Sequence, residues 1–279
     1  MKIYTLHLKE PVTLTGRDFF GFQSRITLRQ NYLRGWGWSR NGDGSYLPIN
    51  PRIMAHKNRR IRFQHEFSVL EVIEHIMPLR LLFPSLIIEG SGWPPYDGCS
   101  RDLWEAARDK SRTIEVEIPI YSTSKKIEWT YPDRRAGIIG HTTLHPATSP
   151  GLQIEVKVKY AQLGETSRKY IIHPGSLEQF NLAQLFRVGA QGIWPKPLRI
   201  LAKLIGWPHY NNIVWPDSGN ARQVIRSFAD HRCLDILGGL VGPLCKDGLL
   251  AGRIESEVSG HEADYHVARQ AFTHLKRIA

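Results

Sequence analysis

Apolar and polar residues alternate in short stretches along the first sixty positions. Residues 12–15 and 25–29 each put every second side chain on one face, the period of a half-buried strand. Asn41-Gly42-Asp43-Gly44 carries turn chemistry. The period then becomes helical over residues 68–79. Ser68 and Glu71 stand at the S-x-x-E spacing of a capping box, and Val69, Leu70, Val72, Ile73, Ile76 and Met77 supply the apolar face. Residues 85–89 read as a strand, Gly-Trp-Pro-Pro-Tyr-Asp-Gly at 92–98 as a rigid loop, and 101–110 as a second helix.

Residues 127–150 hold several Pro, Gly and Thr residues without a clear period, which places a boundary there. The chain divides into an N-terminal unit, residues 1–125, and a C-terminal unit, residues 126–279. The second half repeats the order of the first. Residues 152–160 alternate as a strand through Ile154, Val156 and Val158. Residues 177–188 read as a helix, 212–215 as a short strand and 222–244 as a helix broken near Gly238-Gly239. A strand at 249–258 and a final helix at 261–277 complete the pattern. The same order twice over predicts an α+β fold of two related units.

The 279 residues can bury a substantial core, and with 42% hydrophobic and 23% charged residues the chain is globular rather than disordered. The net charge of +11 favours an anionic partner: nucleic acid, a membrane surface or a phosphorylated small molecule. Cys99, Cys233 and Cys245 form no C-x-x-C pair, and so few cysteines fit a reducing compartment better than a disulfide framework. The opening MKIYTLHLKE lacks the apolar run of a signal peptide, and no stretch reaches 18 consecutive apolar residues. A cytoplasmic protein is expected.

Three places could carry chemistry. His231 and Asp235 are spaced i, i+4, so on a helix they share a face and can reach one zinc ion at roughly 2.0–2.2 Å. Alone, that spacing also describes an ordinary His–Asp pair on a helix surface. Glu74-His75 interrupts an apolar helix face, where two ionisable groups are costly unless paired or metal-bound. A ligand His beside a carboxylate base suits hydrolysis, although an exposed helix edge would look the same. His261, at a strand-to-helix junction, is either a proton carrier in a cleft or a capping histidine. Together they form a three-ligand zinc set with an open fourth position, a base and an acid.

In that order the motifs resemble the UDP-3-O-acyl-N-acetylglucosamine deacetylases, the zinc enzymes of lipid A biosynthesis. Val72-Ile-Glu-His-Ile-Met77 resembles the family's T-V-E-H-L-M, and Ser85-Leu-Ile-Ile-Glu89 followed by Pro95-Tyr-Asp-Gly98 its N-x-x-I-E and D-G segments. Asp230-His-Arg-Cys-Leu-Asp-Ile-Leu-Gly-Gly-Leu240 resembles R-H-K-x-L-D-x-I-G-D-L, and Val258-Ser-Gly-His261 resembles K-S-G-H. The likeness spans roughly residues 12–275. It implies two β-α-α-β layered sandwich units with zinc between them, held by His75, His231 and Asp235. It implies Glu74 as general base and His261 as general acid, with Arg232, Leu185 and Phe186 beside the substrate.

The departures point to a changed substrate. Leu185 stands where the family has a Thr near the reacting carbonyl, and Leu cannot donate a hydrogen bond. Glu262-Ala-Asp-Tyr265 replaces A-L-N-N after the acid His. The expectation is a zinc-dependent deacetylase acting on another small N-acyl substrate, anionic or sugar-nucleotide-like, without an obligate protein partner. The lipid A reaction itself is the alternative, and iron(II) fits the same ligand set. A third class is a nucleic-acid binder using Arg52, Lys57, Arg59, Arg60 and Arg62 with Trp36, Trp38 and Tyr46.

Overall fold

Alternating burial builds the C-terminal sheet. In β14 (Leu152–Tyr160), Leu152, Ile154, Val156 and Val158 face the core while the residues between them do not. Its neighbours are β12 (Ile127–Asp133), β13 (Ile138–His145), β15 (Gly164–Ile172) and β19 (Gly252–Glu257). They pair in the order β12-β13-β19-β14-β15. The computed structural model describes residues 1–17, 23–39, 46–57, 60–66, 68–70, 73–90, 100–133, 138–160, 163–174, 184–186, 192–193, 196–204, 213–214 and 220–279.

The first half contains a matching sheet. Its strands are β2 (Val12–Arg17), β3 (Gln23–Gln30), β4 (Gly37–Ser39), β5 (Leu47–Pro48) and β9 (Leu86–Glu89), ordered β2-β3-β9-β4-β5. Counted along the chain, both sheets run first, second, fifth, third, fourth. In both, the fifth strand is antiparallel to the second and parallel to the third. In both, a helical segment precedes that fifth strand and a helix follows it. The protein is therefore a mixed α+β fold whose two halves share one sheet topology.

Four smaller sheets complete the described strands. β1 (Lys2–Leu8) pairs with β10 (Ser111–Glu117). β6 (Met54–Lys57), β7 (Arg60–His65) and β8 (Ser68–Leu70) form an antiparallel meander. β11 (Ile120–Thr123) lies between β18 (Leu249–Leu250) and β20 (Leu275–Arg277). β16 (Gly192–Ile193) and β17 (Ile213–Val214) pair in parallel. The helices are α1 (Arg101–Asp109), α2 (Lys196–Leu204), α3 (Ala221–Ile236) and α4 (His261–Phe272).

Several expectations change. Residues 68–79 do not form one helix: Ser68–Leu70 is a strand, and Ile73–His75 and Met77–Leu81 are separate 3-10 turns. Pro78 has no N–H for the Glu74 carbonyl, so an α-helix cannot run through. Glu71, the distal half of the expected capping box, lies outside the described residues. The final helix stops at Phe272 because Leu275–Arg277 finds backbone partners on β11. Residues 127–150, without a readable period, hold two full strands of the C-terminal sheet. The turn at 41–44, the loop at 92–98 and most of 177–188 lie outside the described residues.

Gly238-Gly239 does not break its helix. α3 continues through a π-turn, Leu237–Val241, into a last helical turn, Gly242–Leu244. The glycines serve a close crossing instead. A Cβ at Gly238 would lie 2.0 Å from the Glu74 carbonyl oxygen and 2.4 Å from its Cα, and one at Gly242 would lie 2.7 Å from Met77 Cβ. The helical segments of the two halves thus meet backbone to backbone, with Ile73, Ile76, Met77, Leu234, Leu237, Leu240 and Val241 buried around the seam.

Gly238→Ala should therefore destabilise the fold by about 1–3 kcal/mol through overpacking. Thermal unfolding would show a Tm lowered by roughly 2–4 °C for each kcal/mol. An unchanged Tm would mean that the crossing does not depend on the missing side chain.

Candidate metal centre

Where the two halves cross, three elements deliver five ionisable side chains. Glu74 and His75 come from the 3-10 turn Ile73–His75, whose tight winding directs both into the seam. His231 and Asp235 sit one turn apart on α3, and His261 is the first residue of α4. Glu74, His75 and Asp235 are buried, at 2%, 5% and 6% exposure, and two buried carboxylates need compensation.

The spacing suits a cation. Ligand-capable atoms of His75, His231 and Asp235 all lie within 4.8 Å of one another, and among the described residues this is the cluster of that kind. His231 Nε2 is 3.4 Å from Asp235 Oδ1. Two donors on one tetrahedral zinc, each at roughly 2.0–2.2 Å, stand about 3.4 Å apart. The His75 and His231 rings are 5.7 Å apart between centroids, tilted by 57°. Glu74 Oε2, His75 Nδ1, Asp235 Oδ1 and His261 Nδ1 are buried without a hydrogen-bond partner. Each such group costs about 1–3 kcal/mol, and a bound cation would relieve those it touches.

The proton affinities follow from burial and from neighbours. Burial pushes the Glu74 carboxyl up to about 7, with the His261 ring opposing it. Burial, and then the neighbouring His231, push His75 down to about 3, so it presents a neutral ring. Burial also works against ionised Asp235, but His231, His261 and Arg232 outweigh it and hold that carboxyl below its ordinary range. The cluster thus offers a neutral imidazole and an ionised carboxylate, the forms that bind metal. His261 bridges the two acids, with Nδ1 3.9 Å from Glu74 Oε1 and Nε2 3.7 Å from Asp235 Oδ2.

Arg232, expected beside the substrate, is buried and makes internal contacts. Its terminal nitrogens donate to Asp264 at 2.5 and 2.6 Å, and Nη2 also reaches Ser259 Oγ at 3.2 Å. Ser259 Oγ shares hydrogen bonds with Thr142 Oγ1 at 2.6 Å and Ser256 Oγ at 2.8 Å. These contacts hold the turn before His261, where Val258 takes φ +46°, a strained value for a β-branched residue. Gly140 makes room for it, since a Cβ there would lie 2.2 Å from the Val258 carbonyl oxygen. Sequence reading missed Asp264 and Ser259. The available signal was a carboxylate one turn beyond His261, beside an arginine that needed a partner.

Leu185 and Phe186 are also buried, and Phe186 has no exposed surface and packs on Trp104 of α1 at 5.6 Å. Both belong to the buried core of this structure. The same holds for the aromatic half of the nucleic-acid reading. Trp36 and Trp38 are each 2% exposed, and their indole N–H groups donate to the Phe83 and Gly90 carbonyls, so neither can stack on a base. Arg59 lies outside the described residues. No family model and no curated protein matches the sequence.

Asp264→Ala should cost about 3–5 kcal/mol, because it leaves Arg232 buried and unpaired. Arg232→Met with Asp264→Leu should recover most of that loss in the same denaturant titration. Equal losses in the single and double variants would show that the pair is not a coupled unit.

Proposed function

We propose that the protein is a zinc-dependent amide hydrolase that removes an N-acyl group, most simply N-acetyl, from a small-molecule substrate. The observation that carries this reading is the convergence of Glu74, His75, His231, Asp235 and His261 from three distant stretches of chain at one buried seam. The shared sheet topology supports a second element of the proposal. The halves are two related β-α-α-β layered units with the centre between them, as the resemblance to the UDP-3-O-acyl-N-acetylglucosamine deacetylases implies. The Leu at 185 and the engaged Arg232 support a divergent relative with another substrate.

His75, His231 and Asp235 would hold the ion, which supplies Lewis acidity toward a carbonyl and lowers the pKa of a water at its open position. Glu74, with its raised proton affinity, is matched to accepting a proton from that water near neutral pH. His261 stands within 4 Å of both acids and can deliver a proton to the departing amine nitrogen. The buried seam keeps bulk water from these charges, which strengthens every electrostatic contact among them. Asp264 and Arg232 act as positioning residues, tying α3 to the turn that aims His261.

Protein purified without chelators should carry about one zinc per chain, and His231→Ala little, by elemental analysis. Absence of metal from both after zinc supplementation would refute the centre.

Glu74→Ala and His261→Ala should each lower kcat for acetate release from N-acetyl amines by about a hundredfold or more while keeping zinc. Near-full activity in either variant would remove that residue from its proposed role.

A further inference from the structure

Helix α2 presents a surface that the metal centre does not explain. It connects the parallel strands β16 and β17. Each of its described side chains, Pro197, Leu198, Ile200, Leu201, Lys203 and Leu204, is exposed. Leu198, Ile200, Leu201 and Leu204 are 37%, 62%, 51% and 78% exposed, so four large aliphatic side chains on one nine-residue helix face water. With 3.6 residues per turn these four fall within an arc of about 160°. The basic positions 196, 199 and 203 fall within an arc of about 60° on the other side. A helix of this length is marginal in water by itself and gains stability by burying its apolar stripe. Among the described residues nothing covers that stripe.

Charge identifies the complementary surface. Residues 179–216 contain no Asp or Glu, but they contain Arg187, Lys196, Arg199 and Lys203. Trp194 and Trp207 flank the helix in sequence, and tryptophan is the residue that favours the lipid–water boundary. The chain as a whole carries +11. A short helix with an apolar stripe, a cationic flank and neighbouring tryptophans fits an anionic bilayer. The aliphatic side chains enter the acyl boundary while the cations meet lipid phosphates. α2 has nine residues, too few to cross a bilayer, so the attachment is lateral.

We propose that α2 is a membrane-surface anchor that lays the protein onto anionic lipid. This inference does not depend on the metal centre, and its test reads binding rather than hydrolysis. The full chain would be sedimented with sucrose-loaded vesicles of phosphatidylcholine alone, and of phosphatidylcholine with 30% phosphatidylglycerol. Binding is expected to the anionic vesicles, at least tenfold stronger than to the neutral ones. It should weaken as salt shortens the Debye length from about 10 Å at 0.1 M. Leu201→Asp with Leu204→Asp should lose binding at least tenfold. Lys196→Glu with Lys203→Glu should lose about fivefold or more per charge. The substituted aliphatic side chains are exposed, so the Tm of the leucine variant should match the wild type. Wild-type binding by the leucine variant would overturn the proposal, because attraction would then come from the general basic surface. So would binding to neither vesicle, equal binding to both, or self-association through α2 that Leu204→Asp abolishes.

Discussion

The whole arrangement rests on how closely two backbones approach at one crossing. Glu74 and Gly238 meet at a separation that leaves no room for a Cβ, and Gly242 repeats the condition one turn later against Met77. This crossing joins the two halves and buries their aliphatic faces. It also brings a carboxylate and an imidazole from the first half within reach of an imidazole and a carboxylate from the second.

Charge burial is the cost of that geometry. The seam holds Glu74, His75, Asp235, Arg232 and Asp264 in or near the interior, and each would be strongly unfavourable alone. Two kinds of compensation operate side by side. Arg232 and Asp264 neutralise each other with paired hydrogen bonds and anchor the turn before His261. In the neighbouring cluster, Glu74 Oε2, His75 Nδ1 and Asp235 Oδ1 lack hydrogen-bond partners. Buried carboxylate and imidazole atoms without hydrogen bonds, beside an arginine already committed to Asp264, form a cluster suited to a ligand, and this is the physical basis for proposing an ion there.

The proposed anchor lies in the second half and the proposed centre between the halves, and the two obey different rules. At the centre, polar groups are dehydrated and held by packing on both sides. On α2, aliphatic groups are hydrated and held by nothing described. One arrangement calls for a cation and the other for an apolar, anionic surface.

Much of this was legible in the residues because the chemistry is local. The i, i+4 spacing of His231 and Asp235 needs only a helix, and the adjacency of Glu74 and His75 needs no fold at all. Strand alternation in residues 152–160 was equally plain. Other features were hidden because their causes lie far away in sequence. Pro78 disrupts a helix that the apolar period otherwise supports, and the strand Leu275–Arg277 exists because β11 offers it an edge. The Gly238-Gly239 pair reads as a break because the partner of Gly238, the Glu74 backbone, is 164 positions earlier, and Gly239 faces Ile61. By itself the sequence determined which side chains could bind a metal or carry a proton, since those are properties of residue type and short spacing. Only the tertiary structure decided that they meet, that Arg232 turns inward to Asp264, and that α2 faces water, since each depends on what packs against the residue rather than on the residue itself.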